Sequence, residues 1–390
     1  MGYGRKEEHR SIQEDPTRKD LTMKYAFKKR LYKILVPILD VLGYILFLPL
    51  RIFRKPVPAN PKNILIVRLD HIGDFVCTTP LFRNIKKRFP EAKITVLVNS
   101  VSKDLASRDP HIDKLITFSP FYLKRGGDAS SLDGWKRVLK DIKAFSFDIG
   151  IDPRGDMMSI VSMWLGGVRY RVGYGITGGA FLLHAEEKYN RAIHVIDRNM
   201  NLLKRLGIRS GDRAPEVYYN DKDRSIVEET KKVLGADKKK QIVLHPYAGT
   251  KAKEWSFDNF RKVIDWLNDN GFGVLLVGSK HDAGSFDNVI DFRGKINLPQ
   301  LAYLIKDAGF FIGLDSGPAN IAAALNVPSV IICSGTNTPQ LWIPDNSNVK
   351  LICSDVECKP CENKICPSKN RCMISILPED VIMAIKGMVR

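Results

Sequence analysis

Short apolar runs alternate with longer amphipathic segments from residue 62 onward. Runs such as Asn63–Leu69, Lys93–Val98 and Gln241–His245 consist mainly of Ile, Leu and Val, a composition typical of strands buried in a parallel sheet. Between such runs, apolar residues recur at helical spacing, as in the segment after Ser256, which we expect to cap a helix. The alternation predicts two doubly wound α/β series whose strand ends face each other across a cleft.

The same pattern divides the chain into segments. It predicts a helix over 75–89 ended by Pro90, a charged crossing region at 221–234 and a last helix at 378–389. We expect five regions: a basic flexible arm at 1–30, an apolar segment and linker at 31–59, a first Rossmann-like domain at 60–220, a second at 221–350, and a Cys-bearing tail with the final helix at 351–390.

An apolar segment, LYKILVPILDVLGYILFLPLRIF, occupies residues 31–53. Its length approaches that of a membrane span, but Asp40 near its middle and two prolines, Pro37 and Pro49, disfavour a straight helix through a bilayer. The flanks are basic, which suits an anionic lipid surface. We interpret the segment as lying in the membrane interface; the alternative is a core helix of the first domain.

Composition and charge narrow the partners. The chain has 390 residues and a net charge of +18, which favours anionic partners such as phosphates, nucleotides and acidic lipid headgroups. No nucleic-acid-binding signature accompanies the charge, so nucleic acid is not an expected partner. Seven cysteines are present without a cleavable signal peptide, which favours a reducing cytosol over a secreted, disulfide-bonded protein.

The stretch from Phe310 to Leu325 carries the clearest candidate site. An apolar run breaks at Asp315, Ser316 and Gly317 and resumes as an Ala-rich helix with Pro318 in its first turn. A strand, a tight turn and a helix N-terminus together form an anion site, since unpaired N–H groups and the helix dipole point at the ligand. The alternative is that Asp315 or Ser316 only caps the helix.

Two carboxylates and two cations suggest the chemistry. Asp74 and Asp315 follow strands in opposite halves, and Lys251 and Lys253 lie in a Gly-bearing loop after another strand. Such a cleft suits group transfer from a diphosphate donor: a carboxylate takes a proton from the acceptor hydroxyl, while cations and N–H groups stabilise the leaving diphosphate. The chain lacks the glycine fingerprint of dinucleotide enzymes and the nucleophile elbow of hydrolases.

Three stretches resemble the heptosyltransferases, glycosyltransferase family 9: ILIVRLDHIGDFVCTTPLF, HPYAGTKAKEW and FIGLDSGPANIAAALNVPSVIICSGTNTPQLWIP. They occur in family order, and the resemblance extends over roughly residues 62–385. It implies a GT-B fold of two Rossmann-like domains, with the acceptor bound mainly by the first and the nucleotide-sugar by the second. It also implies inverting transfer that requires no metal cofactor, and a final helix that packs back on the first domain.

The resemblance also implies roles for particular residues. Asp74 would be the catalytic base, and Lys253 would contact the donor phosphates. The other implied donor-binding residues are Thr250, Asp282, Asp315, Ser316, Gly317 and Asn320. Family members commonly have His in place of Asn320; Asn can donate to a phosphate oxygen but carries no charge. Independently of the family, Arg154 and Asp156 follow a first-half strand and are candidates for acceptor binding.

Four cysteines lie close together in the tail, at Cys358, Cys361, Cys366 and Cys372. Four thiolates within this span are enough for a tetrahedral structural zinc, and the first pair has the usual CxxC spacing. The second pair is wider than in a standard zinc ribbon. Disulfides or free packing thiols therefore remain as the alternative.

Together these features predict an enzyme that moves a sugar, heptose by resemblance, from a nucleoside-diphosphate donor of the ADP-heptose type to an anionic lipid-linked saccharide such as the lipopolysaccharide core. We expect it in the cytoplasm, peripheral on the inner face of the cytoplasmic membrane. A transferase of the same fold with another donor and surface glycan is one alternative. A non-catalytic nucleotide-sugar-binding protein is the other.

Overall fold

The computed structural model describes Tyr25 and residues 30–48, 56–120, 132–209, 211–236 and 240–389. Most of the predicted arm at 1–30 lies outside the described residues. The described chain begins with helix α1 (Arg30–Leu46) and continues into two α/β halves, each built on a six-stranded sheet.

The first sheet is wholly parallel, with strand order β3-β2-β1-β4-β5-β6. Its central strand is buried along nearly its whole length because Ile64 pairs with Ile94 on one side and Ile149 on the other. The strands are β1 (Asn63–Arg68), β2 (Lys93–Val98), β3 (Lys114–Thr117), β4 (Ile149–Asp152), β5 (Tyr170–Gly173) and β6 (Ala185–Glu186). The helices of this half are α2 (Ile72–Val76), α3 (Thr79–Arg88), α4 (Lys103–Ala106), α5 (Leu132–Phe145), α6 (Met157–Leu165) and α7 (Val195–Lys204).

The charged segment at 221–234 forms helix α8 (Asp221–Leu234). A capping box between Asn220 and Asp223 begins the helix, and Gly235 ends it with a left-handed φ of 68°. The Asp223 carboxylate accepts two hydrogen bonds from Arg108 of the first half, at 2.7 and 3.0 Å. Helix α8 therefore contacts the first half before the chain enters the second sheet.

The second sheet has strand order β12-β11-β10-β7-β8-β9 and is also parallel. Its strands are β7 (Gln241–His245), β8 (Gly273–Leu276), β9 (Ile290–Asp291), β10 (Phe311–Leu314), β11 (Ser329–Cys333) and β12 (Val349–Cys353). Its helices are α9 (Phe257–Asp269), α10 (Leu298–Ala308), α11 (Gly317–Ala324), α12 (Arg371–Ile374) and α13 (Pro378–Met388). The Ser256 hydroxyl caps α9 by accepting from the Asp258 N–H, as predicted.

Counted within each half, both sheets have the doubly wound order 3-2-1-4-5-6. In such sheets ligands bind beyond the carboxyl ends of the strands where the order reverses, which here lies between β1 and β4 and between β7 and β10. One buried apolar cluster extends from the first sheet into the second, including Ile66, Phe82, Leu304 and Ile331. The two halves thus share a continuous packed core.

Helix α1 packs on the first half along one face only. Val36 and Asp40 are buried, and the Asp40 carboxylate accepts hydrogen bonds from the Gly179 N–H and the Tyr25 hydroxyl, both at 2.8 Å. Gly43 lies against the Phe181 ring, where a Cβ would have no space. The described chain has no helix long and apolar enough to cross a membrane. Asp40, the acidic residue inside the apolar segment, thus joins α1 to the first half through its hydrogen bond from Gly179.

Two predicted elements differ from the structure. The single helix expected over 75–89 is wrong, since α2 ends at Val76 and α3 begins at Thr79. An unbroken helix would force the Pro80 ring against the Val76 carbonyl; instead the Thr79 hydroxyl donates to that carbonyl at 2.8 Å. The break turns the short helix α2 toward the second half.

The final helix also differs from the expectation. Helix α13 packs on α9, β11 and β12 of the second half, and its buried Val381 and Ile385 belong to the apolar cluster of that half. The expectation that it would pack back on the first domain is therefore wrong.

Candidate functional site

The first-half site lies at the carboxyl end of β1. Arg68 is buried and bonds to Asp74 twice: its Nε donates to the Asp74 main-chain oxygen at 3.2 Å and its Nη2 to the carboxylate at 3.4 Å. It also pairs with Asp70 at 3.3 Å, and Arg154 pairs with Asp70 at 3.1 Å. Two arginines thus hold the loop that presents Asp74, and burial raises the pKa of Asp70 despite them.

A second buried carboxyl group, Asp152, lies at the end of the neighbouring strand β4. It accepts the N–H groups of Arg154 at 3.1 Å and Asp156 at 2.8 Å. Burial raises the pKa of Asp152 to about 8, so the neutral acid predominates at pH 7. Asp152 fixes the backbone of the loop, and Asp156 caps α6 by accepting the Ser159 N–H at 3.2 Å.

In the second half, Lys253 and Asp315 meet at the ends of β7 and β10. The Lys253 ammonium donates to Asp315 Oδ2 at 2.6 Å, and the Asn337 amide donates to the same oxygen at 3.1 Å. Asn337 Oδ1 is buried and has no hydrogen-bond partner among the described residues. The strand ends therefore present one acceptor without a donor, Asn337 Oδ1, and one cation, Lys253, that is paired with Asp315.

Ser316 occupies the N-cap position of α11, but its side chain makes no capping hydrogen bond. Its hydroxyl instead lies 3.2 Å from Nδ1 of His245, the last residue of β7. Burial lowers the pKa of His245 to about 4, so the ring is neutral at pH 7. The first N–H groups of α11 lack intrahelical acceptors, as at any helix start, and the positive end of the helix dipole lies there.

The two halves touch where their candidate turns meet. Helices α2 and α11 are in contact, and glycines make the approach possible. A Cβ on Gly73 would come within 2.7 Å of the Asn320 amide, and one on Gly317 within 2.8 Å of Ile72. Asn320 is buried and donates to the Ser316 carbonyl at 3.0 Å. The residue after Gly73 is Asp74, so the candidate base lies beside the start of α11.

The remaining predicted donor residues lie around this edge. Thr250 precedes the short 3₁₀ turn Lys251–Lys253, and its carbonyl accepts the Lys253 N–H at 3.0 Å. Asp282 follows β8, accepts the Ser279 N–H at 2.6 Å and is close enough to act on the His245 charge. All the predicted donor residues therefore belong to one edge of the second sheet.

The tail at 358–372, hereafter the cysteine tail, pairs with the loop after β11. The N–H groups of Cys361 and Glu362 donate to the carbonyls of Gly335 and Thr336 at 3.0 and 2.9 Å. The Cys372 sulfur accepts the Gly335 N–H at 3.3 Å. These bonds hold the loop that carries Asn337.

The cysteine tail also holds the turn at Lys251–Lys253, hereafter the lysine loop. The Lys364 carbonyl accepts the Ala252 N–H at 3.2 Å, and the Asn370 amide donates to the Lys251 carbonyl at 2.7 Å. All seven cysteines are free thiols, and no group of His, Cys, Asp or Glu in the described chain could hold a metal ion. The expected zinc set of Cys358, Cys361, Cys366 and Cys372 is thus not assembled, and the tail fastens the two loops by main-chain and amide bonds.

Several residues of the site were not predicted from the sequence: Arg68, Asp70, Asp152, His245 and Asn337. Four of them end a strand or follow one within two residues, in the loops where doubly wound folds bind ligands. That position alone was a usable signal. Asn337 gave no such signal, because its role depends on contact with Asp315 from another strand.

Comparison with known proteins identifies relatives that match most of the chain. The sequence pattern of glycosyltransferase family 9 (heptosyltransferase) matches residues 135–371, more than half of the chain. The chain is 27% identical over 338 residues to Lipopolysaccharide heptosyltransferase 3 of Escherichia coli K12, covering 80% of this chain and 94% of that protein.

Solved structures show the same fold. A family 9 glycosyl transferase from Veillonella parvula superposes with a TM-score of 0.71 at 21% identity, covering 85% of this chain and 97% of that one. The E. coli heptosyltransferase WaaC with ADP-2-deoxy-2-fluoro heptose superposes with a TM-score of 0.63 at 18% identity, covering 83% and 99%. The fold is the predicted GT-B fold. The chain belongs to glycosyltransferase family 9 and is a glycosyltransferase.

Proposed function

We propose that this glycosyltransferase moves heptose from an ADP-heptose-type donor to a hydroxyl of a lipopolysaccharide core acceptor, with inversion at the anomeric carbon. The observation that carries the proposal is the contact between α2, which bears Asp74, and the N-terminus of α11. A base on one wall and an anion-binding helix start on the other are what a single displacement from a sugar diphosphate requires. The names of the E. coli relatives support the sugar and the acceptor.

In the proposed step, the acceptor oxygen attacks the anomeric carbon and its proton passes to the Asp74 carboxylate. The bond from the anomeric carbon to the diphosphate oxygen breaks, and its electron pair stays on the leaving ADP. One displacement inverts the configuration. Arg68 keeps Asp74 in place through two hydrogen bonds, one to its main-chain oxygen and one to its carboxylate.

The leaving diphosphate would be stabilised by Lys253 and by the first N–H groups of α11 after Ser316 and Gly317. Lys253 is already paired with Asp315, so the incoming phosphate would share or take over that ammonium group. The Asn320 amide lies one turn further on, and Thr250 and Asp282 flank the same edge. We assign the donor to the second domain, 221–350, on this basis.

The acceptor would bind the first domain, 60–220. Arg154 lies beside Asp70 next to the base, and its guanidinium could bind an acidic group of the acceptor. Asp156 is engaged as the α6 cap, so its contribution would be to hold the same loop.

We also propose that α1 seats the enzyme on the inner face of the cytoplasmic membrane. Its outward side exposes nine large aliphatic residues, each 43% to 75% exposed: Leu31, Ile34, Leu35, Ile38, Leu39, Val41, Leu42, Ile45 and Leu46. A helix with one apolar face that is buried on the other side suits the boundary between headgroups and acyl chains. The net charge of +18 would add attraction to anionic lipids.

Vesicle sedimentation tests this seating. We expect the Ile38→Asn, Leu42→Asn double variant to lose most of its binding to phosphatidylglycerol vesicles, while Met383→Asn, which changes an exposed residue of α13, sediments like the wild type. Equal sedimentation of all three proteins would contradict the seating.

A donor assay tests the transfer. The purified chain is given ADP-heptose, or UDP-, GDP- and dTDP-sugars, together with a deacylated core oligosaccharide, and the product linkage is read by NMR. We expect transfer only from the ADP donor, with inversion and also in the presence of a chelator. Transfer from another nucleotide-sugar would keep the mechanism but change the donor.

Two lysine variants, one of them a control, test the donor contact in the same assay. Lys253→Ala should raise the KM for the donor tenfold to a hundredfold, because a charge-assisted contact to phosphate is lost. Lys251→Ala, in the same turn but with an exposed side chain, should change it less than threefold. Equal effects would contradict the phosphate role of Lys253.

A further inference from the structure

Arg198 on α7 is a buried cation with one nitrogen left without an acceptor among the described residues. Its side chain is 4% exposed, and its Nη2 has no hydrogen-bond partner there. No carboxylate of the described chain lies within ion-pair distance of it. A buried guanidinium is costly unless it is paired or hydrogen-bonded. Most other buried or half-buried arginines here, such as Arg68 and Arg108, do have acidic partners.

Two aromatic rings lie close to the guanidinium. Its central carbon lies 5.1 Å from the centre of the Tyr189 ring and 4.7 Å from that of Trp342. Tyr189 belongs to the first half and Trp342 to the second. A cation–π contact is an attraction to the aromatic ring face and provides no hydrogen-bond acceptor in line with the N–H groups, so Nη2 still lacks an acceptor among the described residues.

The surroundings locate Arg198 at the seam between the halves. One turn earlier on α7, His194 Nδ1 accepts the Ile196 N–H, so Nε2 carries the proton and donates to the Ile343 carbonyl at 2.9 Å. The Cys77 thiol, which lies 3.6 Å from the Trp342 carbonyl, is within electrostatic reach of both Arg198 and Asp74. Arg198 therefore lies on the same side of the cleft as the candidate base.

We propose that Arg198 binds an anionic oxygen group of a substrate, a phosphate or a carboxylate, which enters the seam between α7 and the segment at 342–343. The proposal rests on the proposed function and deepens it, since both a sugar-diphosphate donor and an acidic core acceptor bring such a group into this cleft. The planar fork of arginine matches both groups. Burial and the two nearby rings limit the solvent that reaches the guanidinium.

Isothermal titration of the full chain tests the site with three probes: ADP, inorganic pyrophosphate and a deacylated, phosphorylated core oligosaccharide. Arg198→Met should weaken binding of at least one probe by tenfold or more. Loss with ADP and pyrophosphate identifies the donor as the source of the anion, and loss with the oligosaccharide identifies the acceptor. Arg205→Met, at the end of the same helix with an exposed ion pair to Glu187, should bind all three probes like the wild type.

Several results would overturn the site. They are unchanged affinities in Arg198→Met for all three probes, equal losses in Arg205→Met, and a wild-type chain that binds none of them. Arg198→Met should melt at or above the wild-type temperature, because an unpaired buried charge has been removed; if it does not fold, Arg198→Gln decides by the same criterion. Binding needs no turnover, so an enzyme that fails to transfer heptose still gives a readable answer here.

Discussion

The two halves share one strand order but differ at their switch points. The first half gathers four charged residues there, Arg68, Asp70, Asp74 and Arg154, beside the buried acid Asp152. The second half has one ion pair, Lys253 with Asp315, surrounded by the neutral groups His245, Ser316 and Asn337. The same topology therefore supports a dense charge network on one wall and a largely neutral polar one on the other.

The proposed function accounts for this difference, since it makes Asp74 the base on the first wall and places the donor at the second. A general base must be held at a fixed position near the acceptor hydroxyl, and the hydrogen bonds from Arg68 hold Asp74. A donor site must release its product, so it does better with N–H dipoles and one shared cation than with many fixed charges. Each wall also contains one buried titratable group held neutral at pH 7: Asp152 on the first and His245 on the second.

The largest expected effect comes from Asp74→Asn. We expect transfer to fall by about a thousandfold, within the range for loss of a general base, while ADP affinity stays within twofold. Steady-state rates and calorimetry measure the two quantities. Asp104→Asn, on an exposed position of α4, should keep full activity. If Asp315→Asn rather than Asp74→Asn removed turnover with ADP affinity intact, the roles of the two walls would be reversed.

The neutral Asp152 carboxyl group of the first wall predicts that the free energy of unfolding falls as the pH rises. Asp152 has a folded pKa of about 8, well above that of an exposed carboxyl group, so between these values the folded state binds the extra proton. The free energy of unfolding should then drop by roughly 2 kcal/mol from pH 6 to pH 8. Urea melts of Asp152→Asn should lose this slope, whereas Asp141→Asn on the exposed side of α5 should keep it.

The neutral His245 ring of the second wall predicts the opposite dependence at lower pH: the free energy of unfolding should fall as the pH falls. His245 has a folded pKa of about 4 against 6.5 in the unfolded chain, so the unfolded state binds the extra proton in between. Stability should fall by about 2 kcal/mol as the pH drops from 6.5 to 4.5. His245→Asn should flatten this part of the curve, while the exposed His281→Asn should not. Parallel slopes in His245→Asn and wild type would contradict a neutral buried ring.

The sequence predicted the frame of this comparison well. Buried strands such as β1 and β10 are unbroken apolar runs, and Gly and Asp mark their ends, so local pattern was enough to find the turns that carry Asp74 and Asp315. It did not find the break between α2 and α3, because the apolar spacing continues through Thr78 and only the proline chemistry of residue 80 interrupts it.

The contacts across the molecule were beyond local pattern. Asn320 reads as part of an Ala-rich helix, yet its amide lies against Gly73, which is 247 residues earlier in the chain. The apolar segment at 31–53 combined features of a surface and a core helix; in the structure α1 buries Asp40 on one side and exposes aliphatic residues on the other. Such outcomes depend on which surfaces meet, and composition alone does not determine that.

The smallest expected effect comes from Asn370, whose hydrogen bond helps to hold the lysine loop in the second wall. Asn370 has a φ of 55° and joins the cysteine tail to the lysine loop through one hydrogen bond of 2.7 Å to the Lys251 carbonyl. Asn370→Asp tolerates the same backbone but turns that contact into a repulsion between two oxygens. We expect the KM for the donor to rise about threefold, in line with one net hydrogen bond, with kcat changed less than twofold.

Asn288→Asp provides the matched control, since Asn288 has a similar φ of 56°. It lies outside the cysteine tail, the lysine loop and the loop at 334–337. It should leave the donor KM unchanged. If both variants changed KM alike, the effect would be one of net charge. If neither did, the main-chain bond from the Ala252 N–H to the Lys364 carbonyl would be sufficient to hold the lysine loop. The position of the lysine loop would then not depend on the Asn370 hydrogen bond, and the second wall would be held as firmly as the first without it.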